Sequence, residues 1–153
     1  MNRQIENIRN TRKYIIDHVR ELSLEKLNKV PHGFNNNILW NLGHLVAAQQ
    51  SICYTKGALS PAIAESLYSN YKPGTRPDRF YDSMEEDEIK ELVLSSINVL
   101  KKDYEDNIFA GFIPWTNRYG NVLSNIDEAI AYLQFHEGLH MGVIMSIKKL
   151  VQK

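Results

Sequence analysis

Apolar residues recur at Ile5, Ile8, Ile15, Val19 and Leu22, three to four apart with wider multiples, which predicts a first helix over roughly 4–22. Pro31 and Gly33 interrupt the chain after it. A second helix is expected to open at an Asn35 or Asn36 cap and run to about Tyr54, with Ile38, Leu42, Leu45, Gln49 and Ile52 along one stripe. Lys56-Gly57 closes it. From there to Phe80 the chain is rich in Pro, Gly, Ser and Tyr, and Tyr71 to Pro77 holds two prolines and a glycine, so a long loop with one short helix at 61–68 is expected. Ser83 with Glu86 reads as a capping box for a third helix carrying Ile89, Leu92, Val93, Ser96, Leu100 and Tyr104 and ending near Ile108. Gly111, Pro114 and Gly120 mark the next connection. Ser124 with Asp127 then reads as the cap of a fourth helix, with Ile126, Ile130, Leu133, His140, Ile144, Ile147 and Val151 on one side.

Four amphipathic helices without strand-like alternation predict an all-α fold, a four-helix bundle in which each helix buries one face against the others. The connection from 55 to about 83 is long enough to cross over an end of the bundle or to join non-adjacent helices, and loops of that length are often functional. At 153 residues the chain fits a single domain, 1–153, large enough to bury a core without staples.

Charge and cysteine content narrow the function. Eighteen basic residues balance eighteen acidic ones, with no cluster to follow a phosphate backbone, so nucleic acid is excluded as the expected partner. Cys53 is the one cysteine, which rules out an internal disulfide and a thiolate-rich zinc site and suits a reducing compartment. Its neighbours Ile52 and Tyr54 suggest a small buried hydrophobe rather than a nucleophile. The N-terminus is charged where a signal peptide would be apolar, and no run approaches about 18 apolar residues. A cytoplasmic protein with no membrane partner is expected.

The candidate chemistry lies in the fourth helix, in His136-Glu137-Gly138-Leu139-His140. Imidazoles four apart on a helix leave the same face one turn from each other, so both reach one metal ion. His140 falls near the middle of the apolar stripe and His136 on its shoulder, and a cation would satisfy two imidazoles whose unpaired burial costs several kcal/mol. The string also spells the H-E-x-x-H of zinc proteases. Those enzymes need a third ligand downstream and a substrate-binding strand; the thirteen residues after His140 hold no His, Asp, Glu or Cys, and no strand pattern exists, so that function is rejected. A third ligand must come from upstream.

The second helix carries a weaker polar stripe of Asn37, Asn41, His44, Ala48 and Ser51. It reads either as a solvated flank or as the wall of a polar cavity opposite His136 and His140; in the second case His44 adds a third imidazole and leaves open coordination positions, as in a catalytic site. His18, among charged neighbours, and His32, after a proline, are poorer candidates. Glu137 points about 100° from His136 and is a candidate general base or partner of a ligand, against the plainer reading of a solvated or interface-facing glutamate. Asn41 or Gln134 is a candidate acceptor for a ligating imidazole's second N–H. Trp40, Tyr71, Trp115 and Tyr119 are candidate pocket walls, and Arg76 and Arg118 candidate anion binders.

The run Pro31-His32-Gly33-Phe34-Asn35-Asn36-Asn37-Ile38-Leu39-Trp40-Asn41-Leu42-Gly43-His44-Leu45-Val46, with Phe135-His136-Glu137-Gly138-Leu139-His140-Met141-Gly142 far downstream, resembles the DinB-like superfamily of metal-dependent proteins. The likeness spans nearly the whole chain. It implies an up-up-down-down type of four-helix bundle, a homodimer, and a divalent ion such as zinc or nickel held by His44, His136 and His140. It further implies a thiol-dependent S-transferase or hydrolase acting on a small molecule, with a low-molecular-weight thiol as co-substrate. The other class of function carried by the same features is a non-catalytic metal- or ligand-binding helical-bundle dimer.

Overall fold

The structure is a computed structural model that describes residues 2–152. The fold is all-α. Its helices are α1 (Asn2–Val19), α2 (Leu24–Asn28), α3 (Ile38–Cys53), α4 (Glu65–Tyr71), α5 (Ser83–Glu105) and α6 (Ile126–Val151), joined by 3₁₀ turns at Thr55–Gly57 and Ile108–Gly111. Strands β1 (Trp115–Thr116) and β2 (Val122–Leu123) form a small antiparallel hairpin between α5 and α6. Two residues per strand are too few for a period-two pattern to register, so the hairpin is invisible in the sequence. Short α2 was likewise not expected, and the expected helix at 61–68 is displaced to α4.

Three helix starts shift by one or two residues from their expected positions, for one reason. Asn and Asp cap a helix as well as Ser does, and the residue that supplies the cap depends on where the incoming chain turns. Asn37 caps α3 by accepting from the Trp40 N–H at 2.7 Å. Asp82, rather than Ser83, forms the capping box of α5 with Glu85. Asn125 caps α6 through the Glu128 N–H, while the Glu128 side chain reaches back to Ser124 N at 2.7 Å.

α1 and α3 each pack against both α5 and α6, and the 24–28 and 65–71 helices close over α3. α3 is therefore buried on every side, all sixteen residues of it. The polar stripe through Asn41 and His44 is no solvated flank. Two apolar clusters divide the core. One holds Ile15, Val19, Ile38, Leu42, Leu45, Ile89, Val93, Ile144 and Ile147; the other holds Ile5, Ile8, Ile52, Ile97, Leu100, Ile130 and Leu133. α1 and α6 pass from the second cluster to the first, whereas α3 and α5 pass from the first to the second. The direction is thus up, down, down, up, which corrects the up-up-down-down order implied by resemblance. The connections at 20–37 and 106–125 turn the chain back, while the longer one at 54–82 lets α5 run parallel to α3.

Between the two clusters lies a layer of buried polar groups. Arg12, with no exposed surface, donates from Nε to both oxygens of Glu137 at 3.2 and 3.1 Å and from NH2 to Glu137 Oε1 at 2.7 Å. The rest of its guanidinium donates to Gln49 Oε1, Ser96 Oγ and the carbonyls of Val93 and Leu45, each at 3.0–3.1 Å. One side chain of α1 thereby bonds to the other three long helices, with no N–H left unpaired.

Candidate metal centre

His44 leaves α3 one turn before Ala48, and His136 and His140 leave α6 one turn apart. The three ring centroids lie 5.3 Å (His44–His136), 4.7 Å (His44–His140) and 4.5 Å (His136–His140) apart. One nitrogen from each falls within 4.8 Å of the others, a grouping able to hold a metal ion. Nitrogens that share a tetrahedral zinc at about 2.1 Å stand roughly 3.4 Å apart, inside that 4.8 Å bound.

Neighbouring groups fix the rings. His44 Nδ1–H donates to the Tyr71 carbonyl at 2.7 Å, and Trp40 stacks on the imidazole with centroids 4.6 Å apart and planes 12° from parallel. His140 Nδ1–H donates to Asn41 Oδ1 at 2.8 Å. Asn41 in turn donates its amide N–H to the Asn37 carbonyl at 2.7 Å, which sets which end of the amide faces His140. Both imidazoles are thereby held as the tautomer whose Nε2 carries a free lone pair. The Nδ1 of His136 is buried with no hydrogen-bond partner among the described residues. A cluster with two lone pairs aimed and one buried nitrogen unmatched fits a divalent ion.

Electrostatics favour the ligating form. Burial pushes the proton affinity of His136 down to about 3, helped by the neighbouring His140 and His44 and by Arg118 and Arg12. Burial likewise takes His140 to about 3, with His44 and Arg118 contributing. His44 is lowered by burial against the opposing pull of its Tyr71 hydrogen bond. All three are neutral at pH 7, the state in which imidazole binds metal.

The imidazoles open onto a cavity of about 560 Å³. Trp40, Trp115, Tyr119 and Tyr132 wall it, and Arg118 and Lys56 stand at it. Tyr71 serves otherwise: its ring packs where Gly43 has no Cβ, and its carbonyl holds His44. Arg76 borders a separate, smaller pocket with Arg79 and Tyr81. His18 stacks on Tyr14, and His32 is exposed. Among the described residues Asn41 bonds to an imidazole and Gln134 does not.

Glu137, next to His136 in the chain, is not among the residues that line the imidazole cavity. It is 1% exposed, and both its oxygens accept from Arg12 in the polar layer of the core. Burial raises its proton affinity and the guanidinium opposes that rise. Cys53 is fully buried, which raises its thiol far above the usual range, in keeping with a packing role. Arg12 went unnoticed in the sequence, although a signal was present. It fills the gap in the stripe between Ile8 and Ile15, four residues after one and three before the other, where only a core position can lie.

The model of the DinB superfamily matches residues 7–144, a span that includes His44, His136 and His140. The chain belongs to the DinB superfamily. No curated protein matches it at a significant level.

Proposed function

We propose that the protein is a metal-dependent enzyme acting on a small molecule, with His44, His136 and His140 as the ligands of one divalent ion, zinc or nickel. The observation that carries this reading is the convergence of the three imidazoles at the floor of an open cavity. Three ligands would leave coordination positions free, where such an ion would lower the pKa of a water or of a thiol. The protein's own residues have separable tasks. Asn41 and the Tyr71 carbonyl orient two rings, Trp40 stiffens His44, and the aromatic walls shield bound substrate from water.

The same reading takes the four long helices as a four-helix bundle of the DinB type, with 54–82 as its crossover; the parallel course of α3 and α5 supports it. A low-molecular-weight thiol as co-substrate, a homodimer and a cytoplasmic location complete it. Among the described residues no helix is long and apolar enough to cross a membrane. Glu137 enters as a positioning residue, because Arg12 occupies both oxygens that a general base would use.

The test is elemental analysis of untagged protein. One zinc or nickel per chain is expected, and it should vanish in His136→Ala; a chain without metal, or a variant that keeps it, sinks the reading. Assays pairing low-molecular-weight thiols with electrophiles then address turnover, and a lack of any metal-dependent rate would favour the non-catalytic binding bundle.

A further inference from the structure

We propose that Arg12 is a positioning residue for the metal centre, a clamp that sets α6 against α3 at the level of the three histidines. The proposal rests on the reading of those histidines as ligands and adds the residue that holds their two helices in register.

The guanidinium Nη2 donates one N–H to the Leu45 carbonyl at 3.0 Å and the other to Glu137 Oε1 at 2.7 Å. Leu45 follows His44 in α3, and Glu137 follows His136 in α6. One nitrogen therefore joins the two helices that carry the imidazoles, at residues next to two of the three. Neither attachment has slack. On α3 the acceptor is backbone, and on α6 both oxygens of the carboxylate are held, since Nε donates to them at 3.2 and 3.1 Å. Nη1 fixes the guanidinium plane from a third side, through Gln49 Oε1, Ser96 Oγ and the Val93 carbonyl.

His136 depends on such a clamp more than the other two. The Nδ1 of His44 bonds to Tyr71 and that of His140 to Asn41, whereas His136 Nδ1 has no partner among the described residues, so its place follows from where the α6 backbone lies. Energetics point the same way. Buried to 0% and 1% exposure, the Arg12–Glu137 pair gains little over well-packed apolar residues of the same volume, and the best-attested effect of buried polar groups is to select one register among alternatives. Arg12 is not among the residues that line the cavity, so it acts through helix placement.

Two ring protons report on that placement. The bond from His140 Nδ1–H to Asn41 spans α6 and α3, while the bond from His44 Nδ1–H to the Tyr71 carbonyl joins α3 to α4. Solvent exchange of both protons, read by NMR on full-length metal-free protein carrying isotope-labelled histidine, thus separates a shift of α6 from general loosening. In the double variant Arg12→Met, Glu137→Leu, the His140 proton is expected to exchange at least about tenfold faster, with the His44 proton unchanged. Arg12→Lys, which keeps the charge beside Glu137 without the planar fork, should show the same split even where the double variant fails to fold. Zinc affinity, measured against a chromophoric chelator, should fall about 10–100-fold in either. Ile97→Val, which loosens the apolar core elsewhere, should alter neither exchange nor affinity. Both protons as protected as in the parent, both lost together, the same split in Ile97→Val, or an unchanged zinc affinity would overturn the proposal. If the parent protein takes up no zinc, the metal reading falls, and the exchange comparison alone decides whether Arg12 holds the register.

Discussion

Asn41 shows how one side chain's chemistry depends on two partners. Its carbonyl oxygen fixes His140 and its amide N–H is anchored to Asn37, so the imidazole faces the site in one tautomer. Acceptors of this kind affect metal affinity about 10–100-fold. Asn41→Ala should weaken zinc by that factor in competition with a chromophoric chelator, with one ion per chain still bound at saturating zinc. Along the chain Asn41 and Gln134 stand alike as candidate acceptors. Nothing there chooses Asn41 over Gln134, since a carbonyl oxygen within 2.8 Å of His140 is a fact of two helices meeting.

At the scale of the element, α3 decides the site, and it does so through what presses on it. A Cβ at Gly43 would stand 2.6 Å from the Tyr71 ring, at Cγ and Cδ1, too near the backbone of α4 for an easy escape. Gly43→Ala should destabilise the fold by about 1–3 kcal/mol in urea denaturation. It should also weaken zinc, because displacing Tyr71 displaces the carbonyl that holds His44; a variant with lowered stability and unchanged zinc affinity would refute that coupling. Periodicity along α3 misleads because the helix is enclosed on all sides, where an amphipathic stripe no longer marks the inner face. His44 therefore looked as much like a flank residue as a ligand.

Across the whole molecule, the Arg12–Glu137 pair joins the four long helices at the level where the two apolar clusters meet. Arg12→Met leaves a buried carboxylate without its cation and should cost about 3–5 kcal/mol in urea denaturation of the metal-free protein. Arg12→Met with Glu137→Leu replaces the pair by apolar groups and should recover most of that loss. A double variant no more stable than the single one would mean that the remaining polar groups, Gln49 and Ser96, need Arg12 as much as Glu137 does. Because the clusters on either side of this layer do not depend on the ion, treatment with a chelator should abolish any turnover and leave most of the thermal stability; unfolding of the chelated protein would mark the metal as structural.

The residues by themselves determined that the chain is helical, where its four long helices run to within a few residues, and that His136 and His140 share a face. These follow from spacing along one segment, which is a local property. Tertiary structure alone decided the direction of the helices, the burial of His44 beside the other two imidazoles, the diversion of Glu137 to Arg12 and the delivery of Trp115 through Tyr119 to the cavity. Each of those depends on segments tens of residues apart meeting in space. A repeat of three or four positions along the chain carries no record of which segments meet.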